Sequence, residues 1–129
     1  MRSDTMDTLV LSPLPKTWIL DLDGTLVRHN GYKTDGHDTL LDGAREFMAS
    51  IGTADMVIIV TSRTEDCAAE TEGFLRGNGI RFDRIIYSAP YGERILVNDD
   101  KPSGLPMAVA VRKRRDGAEF PRISVDENL

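Results

Sequence analysis

The sequence predicts an α/β domain: a three-layer, Rossmann-like arrangement with a mainly parallel central sheet and no large cap domain. Three observations lead there: short apolar runs that stop at polar clusters, helical patterns between those runs, and a length that suits one unit. Parallel neighbours need crossover connections, which are normally helices, so strand alternating with helix favours a sheet covered on both faces. At 129 residues the chain is long enough to bury a core and too short for a catalytic domain plus a large substrate-capping domain.

Residues 1 to about 15 end in Ser12-Pro13-Leu14-Pro15, whose prolines block regular pairing. They read as a loosely ordered lead-in, and 16–129 as a single catalytic domain. Thr17-Trp18-Ile19-Leu20-Asp21 is an apolar run stopped by polar residues and Gly24, which suits a buried parallel strand. Met56-Val57-Ile58-Ile59-Val60 is rich in β-branched residues and stops at Thr61-Ser62. Weaker strands are expected over 84–87, 94–98 and 107–112. Helices are expected over 43–51, with Phe47, Met48 and Ile51 on one side, and over 64–76, closed by Gly77-Asn78-Gly79.

Composition excludes several classes. The apolar share of 40% and charged share of 29% are ordinary for a globular chain. Cys67, the single cysteine, rules out an internal disulfide and a thiolate-rich zinc site and reads as a buried thiol in a reducing cytoplasm. No apolar stretch approaches a bilayer span, and the first residues lack the apolar run of a secretory signal, so a cytoplasmic protein without a membrane partner is expected. A net charge of −5 argues against nucleic acid as a general partner. The basic run Arg112-Lys113-Arg114-Arg115 reads as a solvated face or as a receiver for an anion.

Three polar clusters fall at the carboxyl ends of predicted strands: Asp21-Leu22-Asp23-Gly24-Thr25, Thr61-Ser62-Arg63, and Asn98-Asp99-Asp100-Lys101. In open parallel sheets that rim carries the active site. Converging carboxylates repel unless a cation or a shared proton intervenes, and magnesium suits an all-oxygen site completed by water and phosphate oxygens. Asp21, at the strand tip, is placed to attack phosphorus and form an aspartyl-phosphate. Asp23, two residues on along extended backbone, is placed to protonate the leaving oxygen and then to deprotonate water. Gly24 permits the sharp exit from the strand. The plainer alternative is that both aspartates only cap a turn.

Asp21-Leu22-Asp23-Gly24-Thr25 after an apolar strand resembles the first motif of the haloacid dehalogenase superfamily, most of whose members are phosphatases. A D-x-D-G-T string arises by composition in only about one chain in a thousand of this length. The resemblance covers roughly Thr17 to Gly117. It implies that Thr61 is the second-motif hydroxyl that holds a phosphate oxygen, with Ser62, Arg63, Gly24 and Thr25 around the phosphate. As a helix cap, Thr61 would instead serve the segment starting near Thr64. Asp99 matches the acidic fourth motif and would bind magnesium beside Asp21 and the main-chain carbonyl of Asp23, with Asp100 as a ligand or a hydrogen-bonding neighbour.

The third motif departs from the family pattern, since no lysine precedes the fourth-motif strand. Lys101, fixed by Pro102, is the first candidate for that cation, with Arg94 and Arg84 behind it. His29-Asn30-Gly31-Tyr32 and the segment from Gly92 to Leu105 are similar to a little-characterised subgroup found among bacterial surface-sugar and secondary-metabolite gene products, which implies a phosphorylated sugar or similar metabolite. His29 and Tyr32 lie in a loop where they would meet that substrate or simply face solvent. His37 has no partner at metal-ligand spacing.

The loop over 26–41 occupies the place where larger relatives insert a cap. An open site of this kind admits bulky substrates or is closed by a neighbouring subunit of a homo-oligomer. Three functions stay open: a magnesium-dependent phosphatase of a small metabolite, the same chemistry on a phosphoprotein or nucleic-acid end, and a non-catalytic binding or regulatory module of the same fold.

Overall fold

The computed structural model describes residues 8–129; the expectation for residues 1–7 lies outside the described residues. The chain is α/β and its strand pairs are parallel, as predicted. Strand β1 (Thr8–Leu11) stops at Ser12-Pro13, and β2 (Thr17–Asp21) begins after Pro15. Next come a one-turn helix, α1 (Gly31–Thr34), then α2 (Ala44–Ala49) and β3 (Met56–Val60). A 3-10 turn (Glu65–Cys67) runs into α3 (Ala68–Gly77), followed by β4 (Arg84–Ile86) and β5 (Arg122–Val125). Cys67 is free and half-buried. No helix among the described residues is long and apolar enough to cross a membrane.

The strands form a three-stranded sheet in the order β2-β3-β4 and a two-stranded one of β1 and β5. Register pairs Thr17 with Met56 and Asp21 with Val60, so both strands end level and their polar extensions leave the sheet side by side. At the opposite end Asp55 staples the pair. Its Oδ1 accepts from the Lys16 main-chain N–H at 3.0 Å and its Oδ2 from the Trp18 indole N–H at 2.9 Å. Asp83 ties in β4, accepting from the Val57 N–H at 2.7 Å.

Apolar spacing explains what packs where. Val57 and Ile59 of β3, Ala44, Phe47 and Met48 of α2, and Leu75 of α3 join Leu22, Leu26 and Val27 in one buried cluster. Each of the larger of these side chains, once removed from water, contributes roughly 1.5–3 kcal/mol. Phe47 stacks on Phe120 at 5.0 Å and meets Trp18 edge-on at 5.9 Å, drawing the chain before β5 onto α2. Gly43, at φ +84°, begins α2 where a Cβ would lie 3.0 Å from the Ala118 carbonyl, so a side chain there would push the two segments apart.

Two expectations need correction. Residues 8–11 are not a lead-in without pairing: Pro13 and Pro15 lie beyond the strand and bound it rather than block it. The strands expected over 94–98 and 107–112 do not form, and residues 87–121 contain neither helix nor strand. Only residues 87–94 separate β4 from the apolar run at 95–97, fewer than the dozen or so that a parallel crossover takes. Ile95 and Val97 are accordingly 84% and 90% exposed.

Candidate functional site

Asp21 closes β2, and the chain turns at once. The buried Leu22 carbonyl accepts N–H groups from Thr25, Leu26 and Val27, and the Gly24 N–H donates to the Val27 carbonyl at 2.7 Å. Gly24 holds φ +84°, and a Cβ on it would sit 3.1 Å from Arg115 Cγ. The turn leaves the Asp21 carboxylate at the cleft, held on both oxygens: Thr25 Oγ1–H donates to Oδ2 and Arg94 Nη1–H to Oδ1, each at 3.0 Å.

Asp23 is held by Arg63, the last residue of the Thr61-Ser62-Arg63 cluster beyond β3. Arg63 Nε–H donates to Asp23 Oδ2 at 3.0 Å and Nη2–H to Oδ1 at 2.8 Å. The same guanidinium donates to both oxygens of Asp38, at 2.7 and 3.0 Å, and through Nη1 to Thr71 Oγ1 at 3.0 Å. Arginine has five N–H donors, and here all five end on protein. Arg63, expected to contact substrate, therefore has no N–H to offer a phosphate without giving up one of these bonds. Burial works against its charge, but the hydrogen bonds and charges of Asp38 and Asp23 outweigh that and raise its pKa above the ordinary arginine value. The Tyr32 ring covers the guanidinium at 3.9 Å.

These groups border a cleft of about 400 Å³ lined by Asp21, Asp23, Thr61, Ser62 and Arg63 from the sheet rim. His29 and Asn30 of the loop after β2 and Tyr32 and Lys33 of α1 face them, with Tyr91, Gly92, Arg94 and Arg115 completing the wall. Thr61 is buried, and its hydroxyl accepts the Arg63 main-chain N–H at 3.1 Å; it makes no cap on the 3-10 turn that follows. His29 donates its main-chain N–H to Asp116 Oδ1 at 2.7 Å, while its buried Nδ1 has no partner. Gly24 and Thr25 do not line the cleft; they shape the turn and orient Asp21. A hollow of about 440 Å³ bordered by Arg28, Leu40, Asp42 and Asp116 gathers none of the groups at the strand ends.

Of the candidates for the third-motif cation, Arg94 is the one brought to Asp21. Lys101 is exposed in a turn with Gly104 and Leu105, Arg84 is exposed on β4, and neither lines the cleft. Asp99 and Asp100 are also exposed and outside it, because the strand meant to carry them to the rim is not formed. The oxygen set gathered around Asp21 is thus smaller than expected, and among the described residues no group of three acidic, histidine or cysteine side chains stands ready for a metal. Asp21 and the main-chain carbonyl of Asp23 fit a magnesium ion only as a partial set, which water and phosphate oxygens would have to complete.

Several lining residues had only faint sequence signals. Arg115 belongs to the basic run 112–115, and the Asp116 N–H, donating to the Gly24 carbonyl at 2.8 Å, draws it over the turn. Tyr91 and Lys33 had none beyond polarity. Asp38, though its side chain is only 8% exposed, lies in a stretch that reads as an ordinary polar loop.

No family model and no curated protein matches the chain. Among solved structures it is similar to a chain of the Pnkp1/Rnl/Hen1 complex, with a TM-score of 0.50 and 28% identity. The match covers 64% of this chain and 31% of the other, so this chain spans less than a third of its neighbour's length.

Proposed function

We propose that the chain is a phosphomonoester hydrolase working through an aspartyl-phosphate on Asp21. The observation that carries this reading is the Asp21 carboxylate at the end of β2, oriented by Thr25 and Arg94 in a cleft shared with Asp23, Thr61 and the cations Lys33 and Arg115. The Asp21 oxygen attacks phosphorus, and the bond from phosphorus to the leaving oxygen breaks with its electron pair on that oxygen. Asp23 supplies the proton the leaving oxygen takes up. Water then attacks the phosphorus of the intermediate, Asp23 accepts its proton, and Asp21 is released with inorganic phosphate. The two-point pairing with Arg63 fixes where the Asp23 carboxyl group stands for both transfers.

Magnesium belongs to the proposal as the ion that would neutralise phosphate charge, with Asp21 and the Asp23 carbonyl as its protein ligands. A small phosphorylated metabolite is the first substrate class. A nucleic-acid end is the second. It is favoured by Tyr91, which lines the cleft 93% exposed. Aromatic faces of that kind stack bases.

The test is phosphate release by the wild-type chain and by Asp21→Asn, with magnesium and with a chelator, from a sugar phosphate and from phosphorylated oligonucleotides. Loss of turnover in Asp21→Asn supports the reading; undiminished turnover removes Asp21 as nucleophile. The faster substrate decides the class.

A further inference from the structure

We propose that Asp38 is a positioning residue which, through Arg63, fixes the carboxylate of Asp23 in the cleft and makes the seating of the loop after α1 a condition for that placement. The inference rests on the phosphatase reading for what Asp23 does, but not for the geometry.

Two carboxylates share one buried guanidinium. Asp23 arrives from the turn after β2, Asp38 from the loop between α1 and α2, and Arg63 from the end of β3. Nη2 is common to both, at 2.8 Å from Asp23 and 2.7 Å from Asp38, so neither bond is adjusted without the other. Thr71 on α3 takes the remaining Nη1–H and Tyr32 on α1 covers the guanidinium face. Arg63 is therefore immobilised from four elements, and the only carboxylate in this set that also lines the cleft is Asp23. Asp38 makes no contact with the cleft itself. Its place in the set is to hold the planar fork at the angle at which Nε and Nη2 meet Asp23 side by side, a geometry that an arginine left free on one side does not keep.

The decisive variant is Asp38→Asn, equal in shape but presenting an amide NH₂ to one Arg63 donor. A displaced acid slows departure of a poor leaving group, an alkyl alcohol, far more than that of nitrophenolate, which leaves without a proton. The readout is kcat/KM, which reports only the steps through leaving-group departure. The expected result is a fall of about 10- to 100-fold on an alkyl phosphate and under about 3-fold on p-nitrophenyl phosphate. Equal falls on both substrates, or none on either, overturn the proposal. A crystal structure of Asp38→Asn gives an answer independent of turnover. A rotated Asp23 carboxylate supports the inference, and an unchanged Arg63–Asp23 pair overturns it. If Asp21→Asn retains full activity, the phosphatase reading fails while this structural result still stands.

Discussion

Arg94 donates from Nη1 to Asp21 Oδ1 at 3.0 Å across 73 residues of sequence, while the Thr25 hydroxyl holds the other oxygen from four residues away. The ion pair is well exposed, with 35% and 41% of the two side chains open to solvent. Pairs of this kind add little stability, so its value lies in aiming the carboxylate and in meeting an incoming phosphate.

Arg94→Ala is therefore expected to lower kcat/KM for phosphate release by about 10- to 100-fold while moving the melting temperature by less than about 3 °C. Steady-state kinetics and a thermal melt on the same preparation check both halves. Unchanged kinetics would leave Arg94 as a surface partner only.

Asp55→Asn tests the staple at the far end of the sheet. Burial pushes the Asp55 carboxyl up, but the Lys16 and Trp18 hydrogen bonds and the charges of Lys16 and Arg81 outweigh it and hold its pKa below the usual 3.8. A depressed folded pKa means stability that is present above the unfolded value and lost as pH falls through the folded one. At pH 7 the variant is expected to lose about 1–2 kcal/mol, after allowing for solvent screening. The gap to wild type narrows as the pH drops below the ordinary carboxylate range. Urea denaturation at neutral and acid pH measures it, and a constant gap would contradict the assignment.

Gly24→Ala places a methyl group on a backbone at φ +84° and 3.1 Å from Arg115 Cγ. The backbone alone costs roughly 1 kcal/mol, and the displaced Arg115 is expected to raise KM as well. A variant with wild-type stability and KM would mean that the turn relaxes freely and that Arg115 has no part in binding.

Tyr91→Ala separates the two substrate classes. Loss of one stacking aromatic costs about 1–3 kcal/mol per base, so a nucleic-acid end should bind roughly 5- to 150-fold more weakly while a sugar phosphate is turned over as before. Equal effects on both would remove the stacking role.

Much of the rim was legible because its cause is local. An apolar run that stops at Asp21 and another that stops at Val60 show where strands end, and equal lengths let Asp21 and Thr61 emerge together. The helices α2 and α3 followed from apolar spacing and from the glycines at their ends, within a few residues. What stayed hidden depends on distance. Nothing around Asp38 marks it as one side of a buried ion cluster with residues 25 and 15 positions away. Arg115 reads as one charge among four until the Gly24 carbonyl takes the next N–H. The run at 95–97 has strand composition, yet composition carries no information on whether the connection before it is long enough to return.

The pairing of β1 with β5 sets Thr8 opposite Arg122 and Leu11 opposite Val125. Strands so paired run about 4.8 Å apart, and because they run parallel Thr8 and Val125 lie at opposite ends of the pair. A linker between the two ends of the described chain would therefore have to run back along the pair, while new termini opened near Gly104, in the exposed stretch after Pro102, should leave the sheet and the cleft intact. Removing β5, by contrast, will strip β1 of the strand it pairs with.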